Sequence, residues 1–142
     1  MKLTIRIFMA LLLVGIIAGC CNCRSLQRKN QRPLVGTEWQ LIQLGGVSMQ
    51  PAEGKYTLQL TAEEQRVAAV GGCNQIMATY TIGDKRALAI ENPASTRMLC
   101  PDAETEANFV EVLAKTTHYD LDGEMLLLFE QENLLAVFQA KK

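Results

Sequence analysis

Five cysteines and one histidine are the residues of this 142-residue sequence with the most chemistry open to them. A thiolate is a nucleophile and a soft metal ligand, and paired thiols oxidise to disulfides outside reducing compartments. Cys20, Cys21 and Cys23 crowd together near the N-terminus, whereas Cys73 and Cys100 stand far apart in the body of the chain. His118 is the single imidazole, with Asp120 two residues on. On a strand those two side chains share a face, so the carboxylate could orient the ring. A thiol enzyme would enlist Cys73 or Cys100 as nucleophile and His118 as base. Against it, the sequence has no Gly-x-Ser-x-Gly elbow, and neither cysteine belongs to a Cys-x-x-Cys pair. Cys73, Cys100 and His118 also lack the close paired spacing of metal ligands. The residues therefore predict no catalytic, cofactor or metal site. Gly71-Gly72 is not a phosphate loop, because no Lys-Ser/Thr follows, and it reads as a tight turn using glycine's freedom at positive φ.

Cys20 differs in its surroundings. Lys2 and Arg6 form a short basic start, and an apolar run from Ile7 to Ile17 follows, broken only by Gly15. That run is shorter than the roughly 20 residues a helix needs to cross a bilayer, and it fits the apolar region of a signal peptide. It ends in Ile17-Ala18-Gly19-Cys20, which resembles the lipobox of bacterial lipoproteins. The resemblance implies removal of residues 1–19, a diacylglyceryl group on the Cys20 sulfur and acylation of the new amine. Two membrane signals already anchor a protein stably, so three acyl chains would hold it permanently. Residue 21 is not aspartate, which by resemblance to enterobacterial sorting rules favours the outer membrane within the cell envelope.

Charge is unevenly distributed. Residues 20–33 carry Arg24, Arg28, Lys29 and Arg32 with no acid, among Asn22, Ser25, Gln27, Asn30 and Gln31, as a basic flexible tether would. The tether reads either as a solvated spacer or as a contact for anionic headgroups, at about 1 kcal/mol per basic residue. Cys21 and Cys23 lie in it with no specific role. From Leu34 onward there are eight Lys/Arg against fifteen Asp/Glu, which excludes the basic face a nucleic-acid partner requires. About 110 residues remain for folding, enough for one core.

That core must be built from short strands. Trp39–Leu44 ends at Gly45-Gly46; Tyr56–Leu60 and Arg66–Val70 alternate; Ala78–Ile82 runs to Gly83-Asp84. Ala87–Ile90 and a segment near Thr96–Met98 follow. One helix of about fourteen residues interrupts the rhythm, with Asp102 as N-cap and Glu104 and Glu106 in its first turn. Phe109, Val110, Val112 and Leu113 form its apolar stripe. Thr117–Leu121 precedes a closing hairpin of Met125–Phe129 and Leu134–Phe138, whose continuous apolarity predicts burial on both faces. The expected fold is α+β, a curved, partly barrel-like antiparallel sheet of several short strands closed over one main helix.

Residues 34–142 resemble the META domain, the family of HslJ-like proteins. The likeness rests on Trp39-Gln40-Leu41, on Val70-Gly71-Gly72-Cys73-Asn74 with Tyr80 beyond it, and on Ser95-Thr96-Arg97-Met98-Leu99-Cys100. It continues through Glu106, Phe109 and Leu113 to the final hairpin; Ala78 and Leu99 replace the glycine and alanine common in the family. Cys73 and Cys100 belong to two of these motifs, and an oxidising compartment permits a disulfide between them; the alternative is two free buried thiols acting as small hydrophobes. The resemblance implies an envelope protein without enzymatic activity, with a binding or stress-related maintenance role and an unknown envelope protein or small ligand as partner. A thiol-dependent redox protein or enzyme using Cys73 and Cys100 is a different reading. So is an inhibitor or chaperone-like module, which needs an exposed apolar patch.

Overall fold

Alternation along the chain sets which face of each segment turns inward. In Arg66–Val70 the side chains of Val67 and Ala69 are buried while Arg66 and Ala68 face solvent, the period of two that a half-buried strand requires. The computed structural model describes residues 31–141, so the expected signal peptide, Cys20, Cys21, Cys23 and the tether up to Asn30 lie outside the described residues. Arg32–Lys142 forms one compact unit. The apolar core formed by the described residues lies inside it, which is what a domain needs to fold alone.

Among the described residues that unit has nine strands, one α-helix and two 3-10 turns. In chain order they are β1 (Glu38–Leu44), β2 (Val47–Ser48), β3 (Thr57–Thr61), β4 (Arg66–Val70), β5 (Gln75–Ile82) and β6 (Leu88–Ser95). The helix α1 (Ala103–Lys115) follows, then β7 (His118–Asp122), β8 (Met125–Glu130) and β9 (Asn133–Ala140). The strands form one antiparallel sheet in the order β6-β5-β4-β3-β1-β9-β8-β7, with β2 folded back on β1. Its two ends meet at one place, where the Leu88 N–H donates to the Thr117 carbonyl at 2.9 Å and Ala87 bridges His118. The sheet is thus curled into a partial barrel whose two edges touch at this one seam, in keeping with the expected curved, partly barrel-like α+β fold.

Register defines two ends of this barrel. Trp39 of β1 pairs with Ala140, and Met125 pairs with Gln139, so the β7–β8 turn lies at the Glu38 end. The chain enters there, with the Arg32 N–H donating to the Gly123 carbonyl at 3.0 Å. Leu44 pairs with Ala136, placing the β1–β2 and β8–β9 turns at the opposite end. From α1, Phe109 and Leu113 are fully buried, and each contributes about 2–3 kcal/mol by leaving water. The Phe109 ring meets Tyr56 edge-on at 5.7 Å and Phe138 at 6.2 Å.

Two segments differ from expectation. The strand beginning at Leu88 continues through Pro93 to Ser95, and Thr96–Met98 is an irregular loop rather than a strand. Pro93 is tolerated because β6 pairs with β5 on only one side and the ladder shifts register there, with Asn92 at φ +52°. In the last hairpin Ala136, Val137 and Phe138 are buried consecutively, while β8 alternates around fully buried Leu126 and Leu128.

Candidate functional site

A polar cluster joins the start of α1 to two loops. Glu106 shares the helix face of Phe109 and Leu113, so its carboxylate is carried inward and only 7% of the residue is exposed. Its Oε2 accepts from the backbone N–H groups of Asn74 at 3.1 Å and Cys73 at 3.3 Å. Its Oε1 accepts from Asn74 Nδ2 at 2.6 Å. Asn74 in turn donates to the Met98 carbonyl at 3.2 Å, while its Oδ1 accepts from Thr96 Oγ1 at 2.7 Å and the Met98 N–H at 2.8 Å. Around Glu106 and Asn74 donors and acceptors are matched, which is what a buried network must achieve to stabilise a fold.

Gly71-Gly72 serves this cluster through its lack of side chains, which corrects the sequence reading. Neither glycine is at positive φ. A Cβ on Gly71 would lie 2.6 Å from the Glu106 carboxylate, and one on Gly72 would lie 2.4 Å from that of Asp102. Gly71 leaves room for the Glu106 carboxylate to reach the loop backbone, and Gly72 for the Asp102 carboxylate, whose buried Oδ1 has no hydrogen-bond partner among the described residues. Asp102 does occupy the N-cap position, but its side chain makes no capping hydrogen bond. Instead Oδ2 accepts from the Tyr56 hydroxyl at 2.7 Å, which holds the Asp102 carboxyl below its ordinary range. Tyr56 sits at φ +51°, a conformation that strains a non-glycine residue and persists only where surrounding contacts fix it. Its side chain is held by Phe109 and Asp102, and its backbone by the Leu41 N–H, which donates to its carbonyl, and by the Gly71 carbonyl, which accepts from its N–H.

Burial, followed by the Asp102 hydrogen bond and the Asp102 and Glu106 charges, pushes the Tyr56 hydroxyl well above its ordinary value. A group whose pKa is raised by folding stabilises the native state below its unfolded pKa, about 10 for tyrosine, and loses that contribution as pH climbs past it. Wild-type stability is therefore expected to fall steeply above about pH 10. Tyr56→Phe should be less stable at neutral pH by about 1 kcal/mol yet lose less on going alkaline. Urea midpoints of the two proteins across that range read this directly, and parallel curves would remove Tyr56 as the cause.

Of the residues singled out from sequence, Cys73 and Cys100 are brought together as a disulfide, with Cα atoms 5.9 Å apart. The bond ties the loop after β4 to the loop before α1, beside Asn74. His118 lies exposed at the start of β7, and its Nδ1 contacts Thr117 Oγ1 at 3.0 Å. Asp120 pairs with Arg86 and accepts from the Leu121 N–H. The postulated Asp120–His118 orientation is not formed, because Arg86 engages the carboxylate. The bonded sulfurs cannot act as nucleophile or thiolate ligand in this state. Large apolar side chains are exposed at Val47, Met77, Met98 and Leu99, with Leu99 wholly in solvent.

A second feature was not legible in the sequence. Between α1 and the β1–β2 and β8–β9 turns runs an open groove of about 510 Å³. Leu44, Val47, Met49, Val112 and Leu135 supply its apolar wall, and Glu111, Lys115 and Glu130 its charged rim. Val112 belongs to the helical stripe expected to face the core, yet it is only half-buried and borders this opening. The groove lies at the end of the barrel opposite to the entry of the chain.

A curled antiparallel sheet packed on one helix and stapled beside a buried Asn–Glu pair defines a small α+β scaffold. The sequence matches the META domain over residues 32–142, and the chain belongs to that family. Solved structures share the fold. One is the NMR structure of a protein from Burkholderia xenovorans, 20% identical, with a TM-score of 0.62 over 77% of this chain and 84% of that one. Another is the crystal structure of a DUF4847 family protein from Bacteroides vulgatus ATCC 8482, 16% identical, with a TM-score of 0.57 over 77% and 95%. No curated protein sequence matches the chain.

Proposed function

We propose that the protein is a lipoprotein of the bacterial cell envelope, anchored through Cys20, whose META domain acts by binding rather than catalysis in an envelope-maintenance or stress-related role. What supports the binding reading is the engagement of the motif residues with one another. Cys73 is bonded to Cys100, and the polar atoms of Asn74 are occupied by Glu106, Thr96 and Met98. They serve as scaffold, and the groove along α1, which none of them lines, is a surface left accessible to a partner. A structural disulfide suits the oxidising space outside the cytoplasm, where the leader sequence would send the chain. Fifteen acids in the folded part argue against a nucleic-acid partner. The partner classes that fit are the membrane through the lipid anchor and an envelope protein or small ligand at the domain. Outer-membrane residence follows from the absence of aspartate at position 21.

The anchor is tested by growing cells with an alkyne fatty acid. Wild-type protein is expected to carry the label and to sediment with membranes, and Cys20→Ser to carry none. An unlabelled wild-type chain would overturn the anchor and with it the assignment to a membrane surface.

A further inference from the structure

We infer that the groove between α1 and the β1–β2 turn is a binding site for a cationic amphiphile, a molecule with a linear apolar body and an ammonium head. This deepens the binding reading above and rests on it. The volume of about 510 Å³ falls within the range of roughly 300–1,000 Å³ typical of small-molecule sites. Its wall presents five apolar side chains, four from separate elements and Met49 from the loop after β2, and Val47 remains 68% exposed at the mouth. An apolar body laid against them removes that surface from water.

The head group is selected by charge. At the rim, Lys115 is already engaged by Glu111 at 2.5 Å, an ion pair one helical turn long, and that contact raises the Lys115 pKa. Glu130 is half-buried and, among the described residues, takes part in no ion pair. Its charge is close enough to act on Lys115 as well. The rim thus carries two carboxylates and one ammonium, leaving one negative charge uncompensated beside the apolar wall. An ammonium head fits there, whereas a sulfate or phosphate head would face Glu130 with no free cation to meet it. Asn108 and Thr105 on the same helix face supply polar contacts between wall and rim.

The test uses the 32–142 domain, below micellar concentrations, titrated with dodecyltrimethylammonium, dodecyl sulfate and dodecyl maltoside. Calorimetry is expected to show saturable one-to-one binding of the cation, at least about fivefold tighter than either of the others, as one added charge pair at a solvated rim implies. NMR shift changes should centre on the methyl groups of Val47, Val112 and Leu135. Val47→Asn should weaken all three ligands, and Glu130→Lys should reverse the order of the two charged ones. Both positions are solvent-accessible, and the three-ligand comparison on wild-type protein stands without either variant. Equal affinity for the three amphiphiles, shifts confined elsewhere, or no saturable binding would each overturn the site. The fatty-acid labelling of Cys20 is read on the whole precursor in cells, so either result can fail while the other holds.

Discussion

Replacing Cys73 and Cys100 together by alanine is expected to lower the melting temperature of the domain by about 15 °C, without changing its fold at low temperature. The bond joins residues 27 apart in sequence. Opening it returns to the unfolded chain the freedom of a loop of that length, about 3.5 kcal/mol in the chain-entropy account. The native state also suffers locally, since the bond holds the loops on either side of Asn74 against one another. Thermal unfolding of the variant, and of wild-type protein with and without reductant, measures the effect. Reduced wild type should approach the double variant. A shift of only a few degrees would mean that the hydrogen bonds hold these loops unaided. The same variant separates a structural bond from redox chemistry: a phenotype lost while the protein remains folded would favour the thiol-dependent reading.

Glu106→Ala is expected to cost about 3–5 kcal/mol, because it strands the Cys73 and Asn74 N–H groups and deprives the Asn74 side chain of an acceptor. Glu106→Gln should recover only part of that loss. Both carboxylate oxygens accept from N–H donors, so the amide must aim its own NH₂ at one of them whichever way it is turned. Glu104→Ala, exposed in the same helical turn, should change stability by less than about 0.5 kcal/mol. Denaturant unfolding of the three variants checks the ranking. Equal losses at positions 104 and 106 would reduce Glu106 to a helix-dipole contribution. Since the disulfide and Glu106 brace the same loops, their effects should not add, and the combined variants should show coupling.

These two residues illustrate how far local pattern reaches. The order of strands and the single helix followed from alternation and a 3.6-residue stripe, because both periodicities are imposed by which face must leave water. Glu106 was read as a first-turn acid complementing the helix dipole, although a signal for more was present. Its spacing of three and seven residues from Phe109 and Leu113 places it on the buried face, where a carboxylate needs donors. The donors themselves belong to a loop some thirty residues upstream, and no local pattern points across that distance. Gly71-Gly72 was misread for the same reason. A glycine selected for room rather than for φ is recognisable only when the atom that fills the room is known.

By itself the sequence determined an acidic single-core domain with an alternation of strands around one helix and motifs of META type, while the leader and its lipidation thiol stand as proposals. Composition and periodicity are local quantities, and they suffice for the single core and the alternation, while the META type rested on the likeness of its motifs. Tertiary structure alone decided that Cys73 meets Cys100, that Asp120 turns to Arg86 rather than His118, and that Val112, packed against the core, also borders a groove. Each depends on how a curled sheet brings distant segments together, and closure at one seam between β6 and β7 is a property of the whole barrel.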